Sequence, residues 1–248
     1  MTHKKKKYVL ISDGDKGGVG KSVLSAAIAE SRLALRERIA LVEGDAASPD
    51  IALRYANDPD VLLGVLPLNR AGDASQAISK FASWLEVNDP DDVIVNLPAG
   101  ASDTLSLHAD LVREVIDALG YELVCFYSLG KGDTPTAGLI KSLREGMMSH
   151  VNPEGQVVVY PAFQGDPHDF VWYSHEARKT FKGKEIVMPF LDNRDAFKKM
   201  LQAPGRLQAL ADSGAPGWMV VDRLNIARWL KSAIAAVAGV IQEDNTDE

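Results

Sequence analysis

The feature that most constrains the fold is a glycine-rich turn between an apolar run and an alanine- and leucine-rich stretch. Tyr8 to Ser12 is typical of a short buried strand, and Ser22 to Arg36 carries apolar residues at helical spacing. The turn between them contains Lys16-Gly17-Gly18-Val19-Gly20-Lys21-Ser22. Glycines in such a turn let successive backbone N–H groups point into one cavity at the positive end of the following helix. The sequence therefore predicts a strand, a phosphate-binding loop and a helix.

The end of this turn supplies a positive charge and a hydroxyl. Lys21 is placed to reach the β- and γ-phosphates of a nucleotide, and the Ser22 hydroxyl is placed to bind the magnesium that bridges them. Val23, the next residue, is predicted to border the nucleotide as well. The segment departs from the general G-x-x-x-x-G-K-[ST] pattern, because Asp15 stands five residues before Gly20 and the glycine lies one place earlier.

Five further apolar runs of strand length follow along the chain, with helical stretches between most of them. The predicted strands lie at residues 39–42, 93–95, 123–127, 157–160 and 186–188. The predicted helices lie at residues 75–87, 103–119, 135–148, 169–181, 195–210 (broken at Pro204-Gly205) and 222–242. Strands buried on both faces that alternate with helices predict one α/β domain over residues 1–248, with a mostly parallel sheet flanked by helices on both faces. Residues 243–248 are expected to form a frayed acidic tail.

Composition narrows the functional classes. The formal charge of −7 argues against a protein that binds nucleic acid over its whole surface, although a local basic patch remains compatible with it. The single cysteine, Cys125, lies in an apolar run, so neither a disulfide framework nor a thiolate metal site is expected. The apolar run after Lys4 to Lys7 is too short for a signal peptide or a membrane span, and we expect a cytoplasmic protein.

The seven residues from Lys16 to Ser22 resemble the variant loop K-G-G-x-G-K-[ST] of the ParA/MinD superfamily of ATPases. This resemblance implies a P-loop NTPase fold, ATP and Mg²⁺ as cofactors, and an ATP-dependent homodimer. In the superfamily the first lysine of the motif, here Lys16, reaches the partner subunit's phosphates, so the resemblance implies a catalytic role for it. The alternative is that Lys16 flanks the loop as a solvated residue.

Two further strand ends resemble the superfamily's magnesium-binding segments. Leu41-Val42-Glu43-Gly44-Asp45 is similar to its D-x-D segment, which implies that Asp45 positions the attacking water and contacts the magnesium shell. A turn acid that satisfies loop N–H groups is the alternative for Asp45. Asn96 stands where the superfamily has the aspartate of D-x-P-A-G, which binds a water on magnesium, so the resemblance implies that Asn96 lies in the magnesium shell. An amide keeps the oxygen but loses the charge, so slow hydrolysis is expected unless Asp45, Glu43 or Asp13 compensates.

The segment from Val187 to Asp192 is similar to the strand end beside the adenine in these ATPases. The resemblance suggests that Pro189, Phe190 and Leu191 line the base. An ordinary strand terminus is the alternative. The superfamily's asparagine after the fifth strand has no counterpart here, so the choice of adenine over guanine rests on the resemblance.

The resemblance implies a role in plasmid partition, maintenance or conjugative transfer, in the branch that includes TraL- and StbB-like proteins. Non-specific DNA would contact the basic residues Arg178, Lys179, Lys182, Lys184, Lys198 and Lys199, or a DNA-binding partner protein would supply that contact. A MinD-like positioning ATPase and a non-hydrolysing ATP-dependent scaffold are the alternatives. The apolar stripe of the last helix is expected to pack on the protein's own core and not on a membrane.

Overall fold

The computed structural model describes residues 6–14, 16–36, 38–45, 49–65, 74–98, 100–212 and 217–241. The predicted acidic tail therefore lies outside the described residues. Within them, the strands are β1 Lys7–Asp13, β2 Ile39–Glu43, β3 Val61–Val65, β4 Asp92–Asn96, β5 Tyr121–Ser128, β6 Gln156–Pro161 and β7 Lys184–Met188. The α-helices are α1 Lys21–Leu33, α2 Asp50–Tyr55, α3 Ala74–Asn88, α4 Ala101–Ser106, α5 Ala109–Ala118, α6 Asp133–Glu145, α7 Val171–Ser174, α8 Arg194–Gln202, α9 Leu207–Asp212 and α10 Val220–Ala238.

The seven strands form one sheet in the order β3-β2-β4-β1-β5-β6-β7, and every neighbouring pair is parallel. This confirms the predicted α/β class. Strand β1 lies at the centre, between β4 and β5, where the direction of chain winding reverses. In parallel sheets, ligands bind outside the carboxyl ends of the strands at such a reversal. The glycine-rich turn follows β1 and so lies at this position.

Helices cover both faces of the sheet, as predicted. Alternate residues of one strand point to opposite faces. In β1, Val9 and Ile11 therefore join the core under α3, α5 and α6, whereas Tyr8 and Leu10 join the core under α1, α8, α9 and α10. Each strand of the centre is buried on both sides, which explains the continuous apolar runs in the sequence.

A buried ion cluster fixes the far end of α1 against the sheet. Arg32 and Arg36 both donate from Nε to Oδ2 of Asp92, at 2.8 and 2.7 Å, and the three side chains are at most 1% exposed. Asp92 begins β4, so the cluster lies at the edge of the sheet opposite the carboxyl ends of the strands. Charges buried this deeply persist only when paired. The cluster therefore sets the direction of α1, and with it the position of the turn at the helix's other end.

Several predicted elements differ from the observed ones. Strand β3 was missed, because Gly64 interrupts its apolar run; the side chain of Trp84 fills the space that a Cβ there would enter. The helix predicted at residues 169–181 is wrong: four residues form α7, His175 is extended, and residues 176–180 form a 3-10 turn. Tertiary contacts interrupt the helix in this segment, because buried Trp172 donates from Nε1 to Glu185 of β7 at 2.9 Å. The helix predicted at 103–119 is divided into α4 and α5.

The apolar stripe of α10 packs on the protein's own core, as predicted. Its members belong to the cluster beneath α1, α8 and α9, and they are Ile226, Trp229, Leu230, Ala233, Ile234, Val237 and Ile241. This burial leaves the stripe no free face for a lipid surface. Among the described residues, no helix combines the length and the hydropathy that a bilayer crossing requires.

Candidate functional site

The glycine-rich turn connects the end of β1 to the first residue of α1, as the sequence predicts. Gly20 is the N-cap of α1 with φ +90°, a left-handed conformation that an L side chain rarely adopts. Gly14 approaches the neighbouring strand so closely that a Cβ would lie 2.8 Å from the carbonyl oxygen of Ser128. The turn is therefore drawn tightly against β5, and glycine is required by geometry at both of its ends.

Lys21 curls back over the turn that precedes it. Its Nζ donates to the carbonyl oxygens of Gly14 at 3.2 Å and Lys16 at 3.0 Å, although the residue is only 8% exposed. Two hydroxyls hold the backbone beneath it: Ser128 donates to the carbonyl of Val19 at 2.7 Å, and Ser12 donates to the carbonyl of Lys21 at 3.2 Å. An ammonium held over backbone N–H groups at a helix N-terminus fits a polyphosphate.

The residues at the mouth of the turn are open to solvent. Lys16, Gly17 and Gly18 are exposed, and the Cβ position of Gly18 has no atom within 4 Å. The exposure of Lys16 is what a lysine that reaches a second subunit requires. Its predicted catalytic role stays a prediction.

The ends of β2 and β4 meet in a buried polar cluster beside the turn. Asn96 donates from Nδ2 to Oε1 of Glu43 at 2.9 Å, and its Oδ1 accepts from the Ser25 hydroxyl at 2.9 Å. Glu43 also accepts from the backbone N–H of Asp45 at 3.0 Å and from that of Ile51 at 3.3 Å. Burial raises the pKa of Glu43 above its usual value, and the hydrogen bonds from Asp45 and Asn96 oppose that rise.

The oxygen donors near the turn fit magnesium bound largely through phosphate. Ser22 lies in the first turn of α1, and half-buried Asp45 follows β2 at the same edge of the sheet. The described ranges contain no group of three or more histidine, cysteine or acidic side chains able to hold a metal alone. Mg²⁺ typically keeps its waters and takes one or two protein ligands beside substrate phosphates. The metal roles predicted for Ser22, Asp45 and Asn96 stay predictions, and the side-chain oxygen of Asn96 is engaged by Ser25.

An apolar cavity of about 260 Å³ adjoins the turn. It brings together seven of the predicted nucleotide-binding residues, namely Gly18, Val19, Gly20, Val23, Pro189, Phe190 and Leu191. Whole small-molecule sites occupy roughly 300–1,000 Å³, so this volume suits one ring system of a ligand whose phosphates lie outside the cavity. The cavity is the candidate base site.

The residues that line the cavity but were not predicted as site residues include two aromatic residues that contact the segment after β7. Phe163 follows β6 and faces Phe190, with ring centroids 6.5 Å apart. Trp229, assigned only to the core stripe of α10, also lines the cavity and donates from Nε1 to the carbonyl of Pro189 at 2.9 Å. An exposed aromatic directly after a buried strand was the available signal for Phe163; no local signal marks Trp229.

The predicted basic surface is largely paired within the chain. Arg178 contacts Glu185 at 2.9 Å, Lys179 contacts Glu176 at 2.8 Å, Lys199 contacts Asp222 at 2.6 Å, and Lys184 donates to the carbonyl of Val240 at 2.7 Å. Lys182 and Lys198 are exposed. A basic side chain contacts a DNA phosphate only if it can turn towards it. Four of the six residues would therefore have to give up their partners within the chain.

Comparison with known proteins finds a relative that matches nearly the whole chain. The chain is 24% identical over 245 residues to the MobD protein of Acidithiobacillus ferrooxidans, covering 96% of this chain and 99% of that protein. No protein-family model matches the chain.

Solved structures support the fold. FtsY from Thermotoga maritima superposes with a TM-score of 0.51 at 14% identity, covering 80% of this chain and 69% of that one. The signal recognition particle receptor FtsY from Elizabethkingia anophelis, in complex with GDP, superposes with a TM-score of 0.50 at 16% identity, covering 75% of this chain. The match spans 58% of that FtsY chain. The MinC:MinD complex of Aquifex aeolicus gives 0.49 at 13% identity, covering 91% of this chain and 96% of that one. Together with the loop after β1 and the all-parallel sheet, the two FtsY likenesses show that the chain has the fold of the P-loop NTPases.

Proposed function

We propose that this chain is a ParA-like ATP-binding protein with slow ATPase activity that acts as a nucleotide-switched homodimer in plasmid partition, maintenance or conjugative transfer. The observation that carries the proposal is the anchored turn from Gly14 to Lys21 beside an apolar cavity. The phosphates of ATP lie along the turn, and the adenine enters the cavity between Phe163, Phe190 and Val23.

Each side chain of the site has a separate role in the proposed hydrolysis. Lys21 would leave the carbonyls of Gly14 and Lys16 for the β- and γ-phosphates, and Ser22 and Asp45 would hold Mg²⁺. Bound magnesium neutralises charge that develops on the phosphates during transfer. Asp45 orients the attacking water. Lys16 delivers a second cation to the partner subunit's γ-phosphate, which ties the lifetime of the dimer to the state of the nucleotide.

The role in mobile DNA rests on the variant loop and on the match with MobD, which extends over nearly the whole of both chains. The internal pairing of Arg178, Lys179, Lys184 and Lys199 favours a DNA-binding partner protein over direct DNA contact. The burial of the α10 stripe disfavours a MinD-like membrane-surface helix.

A second candidate is a scaffold that binds ATP without hydrolysing it. The observation that favours it is Asn96, an uncharged residue at the end of β4 whose side-chain oxygen and nitrogen both bond to protein groups. In this case the dimer forms with ATP and persists, because no phosphate is released.

The test follows phosphate release and molar mass together, with ATP or GTP and Mg²⁺. The wild type is expected to dimerise with ATP and to release phosphate slowly. Lys16→Ala is expected to weaken the dimer, and Asp45→Ala to stop phosphate release while the dimer persists. The matched control is Lys198→Ala, which removes an exposed lysine from α8 and leaves both readouts unchanged.

Each outcome separates the candidates. A stable ATP dimer with no phosphate release would select the scaffold. A preference for GTP would move the base assignment to guanine and leave the loop assignment intact. A protein that stays monomeric with ATP, or a dimer indifferent to Lys16, would overturn the nucleotide-switched dimer.

A further inference from the structure

The uncharged residue at the end of β4 has a partner across the sheet. In the register of β2 and β4, Glu43 lies directly opposite Asn96, and the two residues are 0% and 2% exposed. Both atoms of the Asn96 side-chain amide are used: Oδ1 accepts from Ser25 of α1, and Nδ2 donates to Glu43. Since a hydroxyl donates to one side and a carboxylate accepts on the other, an amide meets both requirements.

Glu43 in turn holds both ends of the segment that carries Asp45. Its Oε1 accepts from the backbone N–H of Asp45, and its Oε2 accepts from the backbone N–H of Ile51 in the first turn of α2. Oε1 is shared between Asp45 and Asn96, so N–H groups from β4, from the residues after β2 and from α2 converge on one buried carboxylate. The chain of contacts therefore runs from α1 through Ser25, Asn96 and Glu43 to Asp45.

From this network we infer that Asn96 is a positioning residue, matched to Glu43, that fixes the catalytic segment without contacting magnesium. The inference rests on the proposed function only in treating Asp45 as the catalytic acid. The carboxyl group of Glu43 lies between the ends of β2 and β4, and the amide of Asn96 orients it. The loss of charge at Asn96 is then a requirement of the pair and not a defect of the site.

The inference makes an unusual prediction for Asn96→Asp, the change that restores the aspartate of the resembled superfamily. An aspartate keeps the shape and the contact with Ser25. It places a carboxylate oxygen where Nδ2 stands, 2.9 Å from Oε1 of Glu43. Two carboxylates at that distance in a buried site repel, so the pair must separate or one of them must take up a proton, and the N–H that joined the two side chains is lost. Asn96→Asp is therefore expected to lower the stability of the protein and the affinity of its nucleotide site.

The experiment is a double-mutant cycle on thermal unfolding without nucleotide, using Asn96→Asp, Glu43→Gln and the double variant. Asn96→Asp should lower the unfolding midpoint by about 5 °C or more. The double variant should unfold at a higher temperature than Asn96→Asp alone, because Glu43→Gln removes one of the two facing carboxylates, which outweighs the loss of one oxygen that had accepted from Asp45 or Ile51. Asn152→Asp, the same change at an exposed asparagine, should shift the midpoint by less than about 1 °C.

A second readout separates positioning from metal binding. Binding of a fluorescent ATP analogue is titrated with Mg²⁺ for the wild type and for each folded variant. If Asn96 is a positioning residue, the Asn96→Asp variant should need at least as much Mg²⁺ as the wild type to bind the analogue. A variant that keeps the wild-type midpoint, or that binds the analogue at several-fold lower Mg²⁺, would overturn the inference and assign Asn96 to the metal shell.

The cycle stays decisive if Asn96→Asp does not fold. A folded double variant then supports the matched pair, and a double variant that is equally unfolded contradicts it. Because unfolding is measured without nucleotide, the cycle gives its answer even if the protein never hydrolyses ATP. Failure of the proposed function and failure of this inference therefore show up in different experiments.

Discussion

The phosphate side and the base side of the candidate nucleotide site are built in opposite ways. The phosphate side comes from one continuous segment, Gly14 to Ser22, whose main contacts are backbone groups. The base side is assembled from several distant parts of the chain, among them the first turn of α1, the residues after β6 and β7, α8 and α10. The first depends on backbone conformation and one cation, whereas the second depends on packing among side chains. Mutations on the two sides should therefore affect different parts of the ligand.

The largest effect is expected for Lys21→Ala on the phosphate side. The variant loses the cation held over the turn, and hydrogen bonds to charged groups contribute about 1.5–3 kcal/mol each. Two such bonds to phosphate correspond to roughly 100-fold or more in affinity. Isothermal titration calorimetry measures the affinity for ATP and for inorganic tripolyphosphate, and both affinities should fall by the same factor.

The control for this prediction is Lys198→Ala, which removes an exposed lysine of α8 and should bind both ligands as the wild type does. If Lys21→Ala lowered the affinity for ATP much more than the affinity for tripolyphosphate, Lys21 would not act on the phosphates alone. The phosphate side and the base side would then not be separate.

Next in size are two glycine variants that separate the shape of the turn from its opening. Gly14→Ala drives a Cβ to 2.8 Å from the Ser128 carbonyl, so the unfolding midpoint should fall by about 5 °C. Gly18→Ala meets no atom within 4 Å, and its φ of +78° costs about 1–2 kcal/mol. Differential scanning fluorimetry with and without ATP measures both midpoints.

These two variants check each other. Gly18→Ala should retain more stability than Gly14→Ala and yet lose most of the stabilisation that ATP gives, because its Cβ enters the space assigned to phosphate. A Gly18→Ala protein that gains full stabilisation from ATP would show that phosphate does not lie over Gly18.

The same contrast explains how far the sequence alone could predict this molecule. The turn was predictable because its geometry is local: Gly18 and Gly20, which have positive φ angles, are glycines of the motif, and Gly14 lies two residues before it. The parallel sheet was also predictable from local sequence, because six of the seven strands are continuous apolar runs. Strand β3 was missed where Gly64 breaks such a run and Trp84 fills the gap.

The base side was only partly predictable. Pro189, Phe190 and Leu191 were predicted to line it, but Phe163 was not, because its neighbour Phe190 lies 27 positions away and sequence does not show which loops meet. Asn96 was predicted to slow hydrolysis through its missing charge. The opposing Glu43 was visible in the sequence, but the bond between the two depends on strand register, which the sequence did not give.

A medium effect is expected for Phe163→Ala on the base side. The ring packs against Phe190 at the mouth of the cavity, and loss of an aromatic contact to a base costs about 1–3 kcal/mol. ATP affinity should fall about 10-fold, while tripolyphosphate affinity should stay unchanged. Tyr173→Ala is the control, since Tyr173 is a similarly exposed aromatic, 42% against 47%, outside the cavity. Equal losses for both ligands would contradict the base assignment.

The smallest effect is expected for Trp229→Phe, which reaches the base site indirectly. Trp229 is 5% exposed, and its Nε1 donates to the carbonyl of Pro189, the first residue of the segment that lines the cavity. Phenylalanine keeps an apolar ring in the core but leaves that carbonyl without its donor, a loss of about 1 kcal/mol. ATP affinity should fall about 5-fold, with tripolyphosphate affinity unchanged. The matched control is Trp218→Phe, which alters a half-exposed tryptophan beside Lys199 and leaves the cavity intact. If Trp229→Phe lowered the unfolding midpoint without changing ATP affinity, Trp229 would stabilise the core alone, and the base side would be held by its loops without help from α10.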